Sequence, residues 1–123
     1  MNVRDINVDN TQATIGSGRR NTQLFVEKLR QTAGEWDTAA QQVDDLVFGR
    51  FDDWFIPSRD ELDQMYGNLK RRNLGDFKNE WYFSSTQYST YSVHGQNFAD
   101  GSMYNRSKTN RNYVRPIRQV EGP

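Results

Sequence analysis

The chain of 123 residues contains no cysteine, which excludes disulfides, thiolate metal sites and a cysteine nucleophile. It contains one histidine, His94, so a zinc site has few ligands to draw on, and nothing near His94 resembles the nucleophile elbow of a Ser-His-Asp enzyme. No segment is apolar enough to read as a membrane span or a signal peptide, so an export signal would lie outside these residues. The apolar fraction is only 34%, but aromatics make up 13%. Seven Phe, six Tyr and three Trp can build one core, and such a composition argues against disorder. Length and composition together predict one domain over residues 1–123.

The net charge is zero, but its distribution is uneven. Residues 1–63 hold 7 basic and 12 acidic side chains, and residues 64–123 hold 9 and 4. Arg106, Lys108, Arg111, Arg115 and Arg118 follow one another with no acid between them. Two readings compete for this run: a solvated face that complements the acidic half of the same domain, and a site for an anionic partner.

The acidic pairs Asp44-Asp45, Asp52-Asp53 and Asp60-Glu61 are neighbours in sequence, whereas a glycosidase needs carboxylates facing each other across a cleft. Gly16-Ser17-Gly18 lacks the Gly-Lys-Ser/Thr ending of a phosphate-binding loop and reads as a turn before a helix. No catalytic residue, cofactor or metal is assigned. Nothing indicates nucleic-acid binding or membrane insertion.

Helical patterns fill the first half. One starts near Asn21 or Thr22, with Phe25, Val26 and Leu29 as its apolar face and Gly34 as its stop. A second follows Asp37, with Ala39, Val43, Leu46 and Val47 on one side and Gly49 at its end. The sharpest signal is Ser58-Arg59-Asp60-Glu61, a capping box that opens a helix carrying Leu62, Met65, Tyr66 and Leu69 on one stripe, with Lys70–Arg72 in its last turn. Beyond Asn73 the chain turns strand-like. Trp81-Tyr82-Phe83 favours a strand, Asp100-Gly101 marks a hairpin turn, and Tyr113–Val120 alternates imperfectly around Pro116, which argues for a sheet edge or bulge. Helices first and strands second predict an α+β fold.

Several of these stretches together are similar to one family. Ile15-Gly16-Ser17-Gly18, Asn21-Thr22, Asp44-Asp45-Leu46-Val47 and Asp53–Leu62 resemble the C-terminal domain family of the Legionella collagen-like protein, as do Met65-Tyr66, Trp81–Thr86, Asn97-Phe98, Asp100-Gly101 and Tyr113–Arg118. The resemblance implies a C-type-lectin-like fold, with two or three helices on small twisted antiparallel sheets and Trp54 and Trp81 largely buried. It implies a ligand-binding module at the cell surface or outside the cell, of bacterial or phage origin, rather than an enzyme. Family members usually carry an apolar strand before the Ile-Gly-x-Gly segment, so the chain is expected either to be a C-terminal fragment of a longer protein or to close its sheet differently. The formylglycine-generating branch of that fold depends on cysteines, which are absent here.

The chain departs from the family pattern at Phe83, where Trp is usual, and at Tyr91-Ser92-Val93-His94-Gly95. That distribution resembles the variable proteins of diversity-generating retroelements. Of residues 84–113, 21 are Ser, Thr, Tyr, Asn, Gln or Gly, a composition shared with antibody paratopes, where Tyr supplies contact area and the small polar residues supply adaptable hydrogen bonds. These arguments nominate Phe83, Tyr91, Ser92, Val93, His94, Asn105, Arg106 and Asn110 as an exposed ligand-binding face for a protein or glycan. An alternative partner is an anionic glycan such as a glycosaminoglycan, held by Arg106, Lys108 and Arg111 in an adhesin.

Overall fold

A computed structural model describes residues 7–32, 39–108 and 112–119. Within them, helices α1 (Gly18–Thr32), α2 (Ala39–Asp44) and α3 (Arg59–Asn68) precede strands β1 (Trp81–Ser89), β2 (Ser92–Asn97) and β3 (Met103–Ser107). The strands form one antiparallel sheet in the order β1-β2-β3. The fold is α+β.

The capping box is present in full. Ser58 Oγ accepts the Glu61 N–H at 3.3 Å, and Glu61 Oε1 accepts the Ser58 N–H at 2.8 Å. The same carboxylate reaches further: Oε1 also accepts the Gly18 N–H at 3.0 Å, and Oε2 accepts the Gly16 N–H at 3.1 Å. One side chain therefore joins the start of α3 to the start of α1. The closeness of that join explains why α1 begins at Gly18 and not near Asn21. A Cβ on residue 18 would lie 2.3 Å from Glu61 Oε1 and 2.7 Å from the Ile56 carbonyl oxygen, so only glycine fits.

Buried polar side chains extend this junction to the sheet. Thr22 Oγ1 accepts the Ile56 N–H at 2.9 Å, and Ser85 Oγ donates to the Ile56 carbonyl at 2.8 Å. Thr86 Oγ1 accepts the Arg59 N–H and donates to the Gln12 carbonyl, while Asn21 bonds both backbone groups of Gln12. Every one of Asn21, Thr22, Ser58, Ser85 and Thr86 is buried, and each is hydrogen-bonded, as buried polar groups must be.

Apolar side chains pack on both faces of the sheet. Alternation along β1 sends Phe83 to one cluster, with Phe25, Val26, Ala40, Val43, Ile56 and Val93, and Tyr82 to the other, with Leu62, Met65 and Phe98. The second cluster holds the predicted stripe of α3.

Four expectations need correction. Helix α3 ends at Asn68, and Lys70–Arg72, expected in its last turn, form a separate 3-10 turn. Trp54 and Trp81 are half-buried, not largely buried, because Phe83, Tyr82 and Phe98 fill the interior and the indoles lie at its margins. Helix α2 stops at Asp44, and Val47 is 71% exposed. The chain instead turns tightly through Gly49 and Arg50, both at positive φ, with Phe48 and Phe51 bonded across the turn. Residues 112–119 form no strand but isolated bridges, Tyr113 to Tyr82 and Ile117 to Phe55, with Pro116 between them. The Leu29 side chain, Gly34 and Asp37 lie outside what the structure describes.

Gly18→Ala should destabilise the protein by about 1–3 kcal/mol, the usual cost of forcing atoms into a filled site. Ser58→Ala should cost about 0.5–2 kcal/mol through loss of the cap. Urea unfolding of the two variants measures both, and neutral results would mean that the α1–α3 junction is misassigned.

Candidate ligand-binding surface

The nominated residues do not form one face. Phe83, Ser92 and Val93 are buried, at 1%, 6% and 0% exposure, which corrects the expectation that they are displayed. Phe83 and Val93 point into the α1 side of the core, and the Ser92 hydroxyl lies 2.8 Å from that of Ser89 in the β1–β2 turn. Asn110 lies outside the described residues. Tyr91, His94, Asn105 and Arg106 remain at the surface.

Strand register divides those four. His94 pairs with Asn105, so both lie on the α3 side of the sheet, where the Tyr88 ring meets the imidazole edge-on at 5.4 Å. Arg106 pairs with Val93 and therefore lies on the opposite face. Tyr91 occupies the turn between β1 and β2 and is 68% exposed.

On the Arg106 face, the guanidinium stacks 4.4 Å from the Trp81 ring centroid, and Tyr104 sits 6.1 Å from the same ring. Trp81 belongs to β1 while Tyr104 and Arg106 belong to β3, so the contact crosses β2. Gly95 makes the crossing possible: a Cβ there would come within 2.6 Å of Arg106 Cγ and 3.2 Å of the Tyr82 carbonyl oxygen. Tyr104 is 65% exposed. Sequence reasoning treated Trp81 as core and did not nominate Tyr104 as a site residue. The available signal was Tyr104 one residue before Arg106 in the same polar stretch, but the pairing that brings both over Trp81 depends on register.

The basic run is dispersed. Arg118 forms a two-pronged pair with Asp53, at 2.8 and 3.1 Å, and this contact holds the Asp53 carboxyl below the usual carboxylate range. Arg115 caps the carbonyls of Gly75 and Asp76 and lies over Phe77. Lys108 is fully buried, donating to Gln87 Oε1 at 2.7 Å, with its ammonium 5.4 Å from the Phe25 ring centroid. Lys108 therefore offers a polyanion no surface contact, and Arg111 lies outside the described residues. Two other surface features lie elsewhere. Val47, Phe48 and Phe51 form an exposed apolar tip, and an open pocket of about 170 Å³ between α1 and residues 52–55 is lined in part by Arg19, Asp44 and Trp54.

Burial depresses the His94 pKa, and the positive charge of Arg59 adds to this against a smaller opposing effect of Asp60. The imidazole on this surface therefore favours its neutral form.

The helices and the antiparallel sheet define a small α+β domain. Residues 9–118 match the Lcl C-terminal domain family, and the chain belongs to that family. No curated protein and no solved structure matches it.

Phe83→Ala should lose about 3–5 kcal/mol of stability, as for a core aromatic; a loss under about 1 kcal/mol in a urea melt would return Phe83 to the surface. His94 yields a pH test. Its folded pKa lies below the ordinary 6.5, so the unfolded chain binds the proton more readily. Its contribution to stability is present above 6.5 and is lost as the pH falls through the folded value. The urea midpoint of the wild type should fall over that window, and His94→Gln should flatten the slope.

Proposed function

We propose that this chain is a ligand-binding domain rather than an enzyme, displayed at the cell surface on a C-type-lectin-like scaffold, and that its contact surface centres on Trp81, Tyr104 and Arg106. The observation that carries this reading is the stack of Arg106 and Tyr104 about Trp81, solvent-accessible and set on a rigid sheet. Trp, Tyr and Arg are the residue types that dominate binding hot spots, since each combines large contact area with a directional polar or charged group. A stack already formed in the free protein loses little side-chain entropy on binding. Tyr88, Tyr91, His94 and Asn105 would serve ligands that reach around the sheet edge.

A protein or glycan suits this surface better than a long polyanion, because, of Arg106 and Lys108, the two described cations of that reading, Lys108 is buried. The retroelement reading is narrowed by the same burial. Phe83, Val93 and Gly95 are constrained by packing, so diversification would have to act on positions such as Tyr91, His94, Tyr104 and Asn105.

The test is a binding screen of the whole chain against immobilised neutral oligosaccharides, heparin and a surface-protein panel. Tyr104→Ala and Arg106→Ala are then measured on whichever probe binds. Each should weaken binding by about 2 kcal/mol or more, while stability changes far less. Binding that survives both substitutions would place the contact surface elsewhere, and heparin binding that is lost in Arg111→Ala would favour the adhesin reading.

A further inference from the structure

Of the arginines whose side chains are described, four are partly withdrawn from solvent: Arg59, Arg106, Arg115 and Arg118. Three of them end on oxygen atoms of the chain. Arg59 Nε donates to the Asp60 carboxylate at 3.0 Å. Arg115 places its terminal nitrogens on the Gly75 and Asp76 carbonyls, at 2.8 and 3.3 Å. Arg118 holds the Asp53 carboxylate through Nε and Nη2. Arg115 and Arg118 also lie over aromatic rings, 4.2 Å from the centroid of Phe77 and 3.6 Å from that of Phe51. The chain thus uses one device twice. An aromatic ring supports the flat face of the guanidinium, and oxygen acceptors meet its edge.

Arg106 carries the first half of that device without the second. Its guanidinium stacks on Trp81, and its stem lies close over Gly95. Among the described residues no oxygen accepts a bond from it, and Glu80, beside Trp81 in the sequence, forms no ion pair with it. Its Nε is shielded from solvent, whereas its terminal nitrogens are not. A guanidinium is planar, stays charged, and offers paired N–H donors that match the two oxygens of a carboxylate. The stack already fixes its plane, so little side-chain entropy remains to be lost when an acceptor arrives.

We infer that Arg106 receives a carboxylate from an acidic side chain of a protein partner, end-on at its two terminal nitrogens, with Tyr104 packing beside that side chain. The inference rests on the contact surface proposed above and names the group which that surface takes. Arg118 and Asp53 show the same chemistry completed within the chain. One cation suits one carboxylate, whereas a sulfated polymer gains affinity by meeting several cations at once. An acidic sugar fits less well, because the guanidinium takes a face of Trp81 on which a sugar ring would stack. The aromatic surroundings also strengthen a charge-assisted bond by excluding water from it.

NMR titration of the whole chain, read at the Trp81 indole N–H and the Arg106 side chain, tests this. The probes are a capped tetraglutamate peptide, its tetraglutamine counterpart, a hyaluronan tetrasaccharide and a heparin tetrasaccharide. The glutamate peptide should give saturable shifts at both groups, and the glutamine peptide none. Arg106→Lys keeps the charge but loses the fork. It should weaken binding of the glutamate peptide at least about tenfold, with the melting temperature little changed. Arg71→Gln, which removes an exposed arginine elsewhere, should leave the affinity unchanged. No saturable shift with the glutamate peptide, full affinity in Arg106→Lys, or tighter binding of either oligosaccharide at Trp81 would overturn the inference. A ligand from the binding screen that is lost in Tyr104→Ala and Arg106→Ala but keeps its affinity in Arg106→Lys would refute the carboxylate contact and leave the proposed contact surface standing. Shifts confined to residues away from Trp81 would sink both.

Discussion

The Glu61 carboxylate is the constraint on which this architecture turns. It accepts backbone N–H groups from Gly16, Gly18 and Ser58, and so satisfies donors at the starts of two helices at once. Helix N-termini leave unpaired donors that attract negative charge, and a single carboxylate shared between two of them fixes their relative position as well as their ends. Ser85 and Thr86 then tie that junction to β1 through bonds to Ile56 and Arg59, while Thr22 and Ser58 bond Ile56 and Thr14. A low apolar content is tolerated because polar side chains carry part of the interior, each with a partner. Such a network specifies one arrangement, since a slip of any element would leave buried groups unpaired.

With α1 and α3 placed, the sheet has apolar packing on both faces and its β1 edge is closed. Among the described residues, the end of the sheet at Trp81 lies at the margin of the core. The three most exposed tyrosines lie there and at the β1–β2 turn: Tyr104, Tyr88 and Tyr91, each at least 60% exposed, while Phe48 and Phe51 are exposed at a separate tip. The proposed contact surface lies on the sheet, with a glycine at residue 95 allowing an arginine to cross the central strand. The acidic first half and basic second half find a structural use in the Asp53–Arg118 pair, which joins the segment before α3 to the end of the described chain.

Local rules acting between near neighbours were legible in the sequence. The Ser58–Glu61 cap, the α3 stripe, the Asp100-Gly101 turn and the helices-then-strands order each depend on residues within one or two turns of one another, so sequence by itself determined them. It also determined the family, through motifs spread from Ile15 to Arg118. The tertiary structure decided which side chains are displayed. Val93 stands in a polar stretch that reads as a displayed surface and Phe83 at a departure from the family pattern, yet strand pairing and packing on α1 bury both. Trp81, an obvious core candidate by residue type, lies at the margin beneath an arginine from another strand. Lys108 looks like a solvated cation and is buried beside Gln87. A strand residue has two faces to choose between, and a shift of one position exchanges them. That choice rests on register and on partners far away in the chain, such as Gln87 for Lys108 and Trp81 for Arg106, which no local pattern encodes.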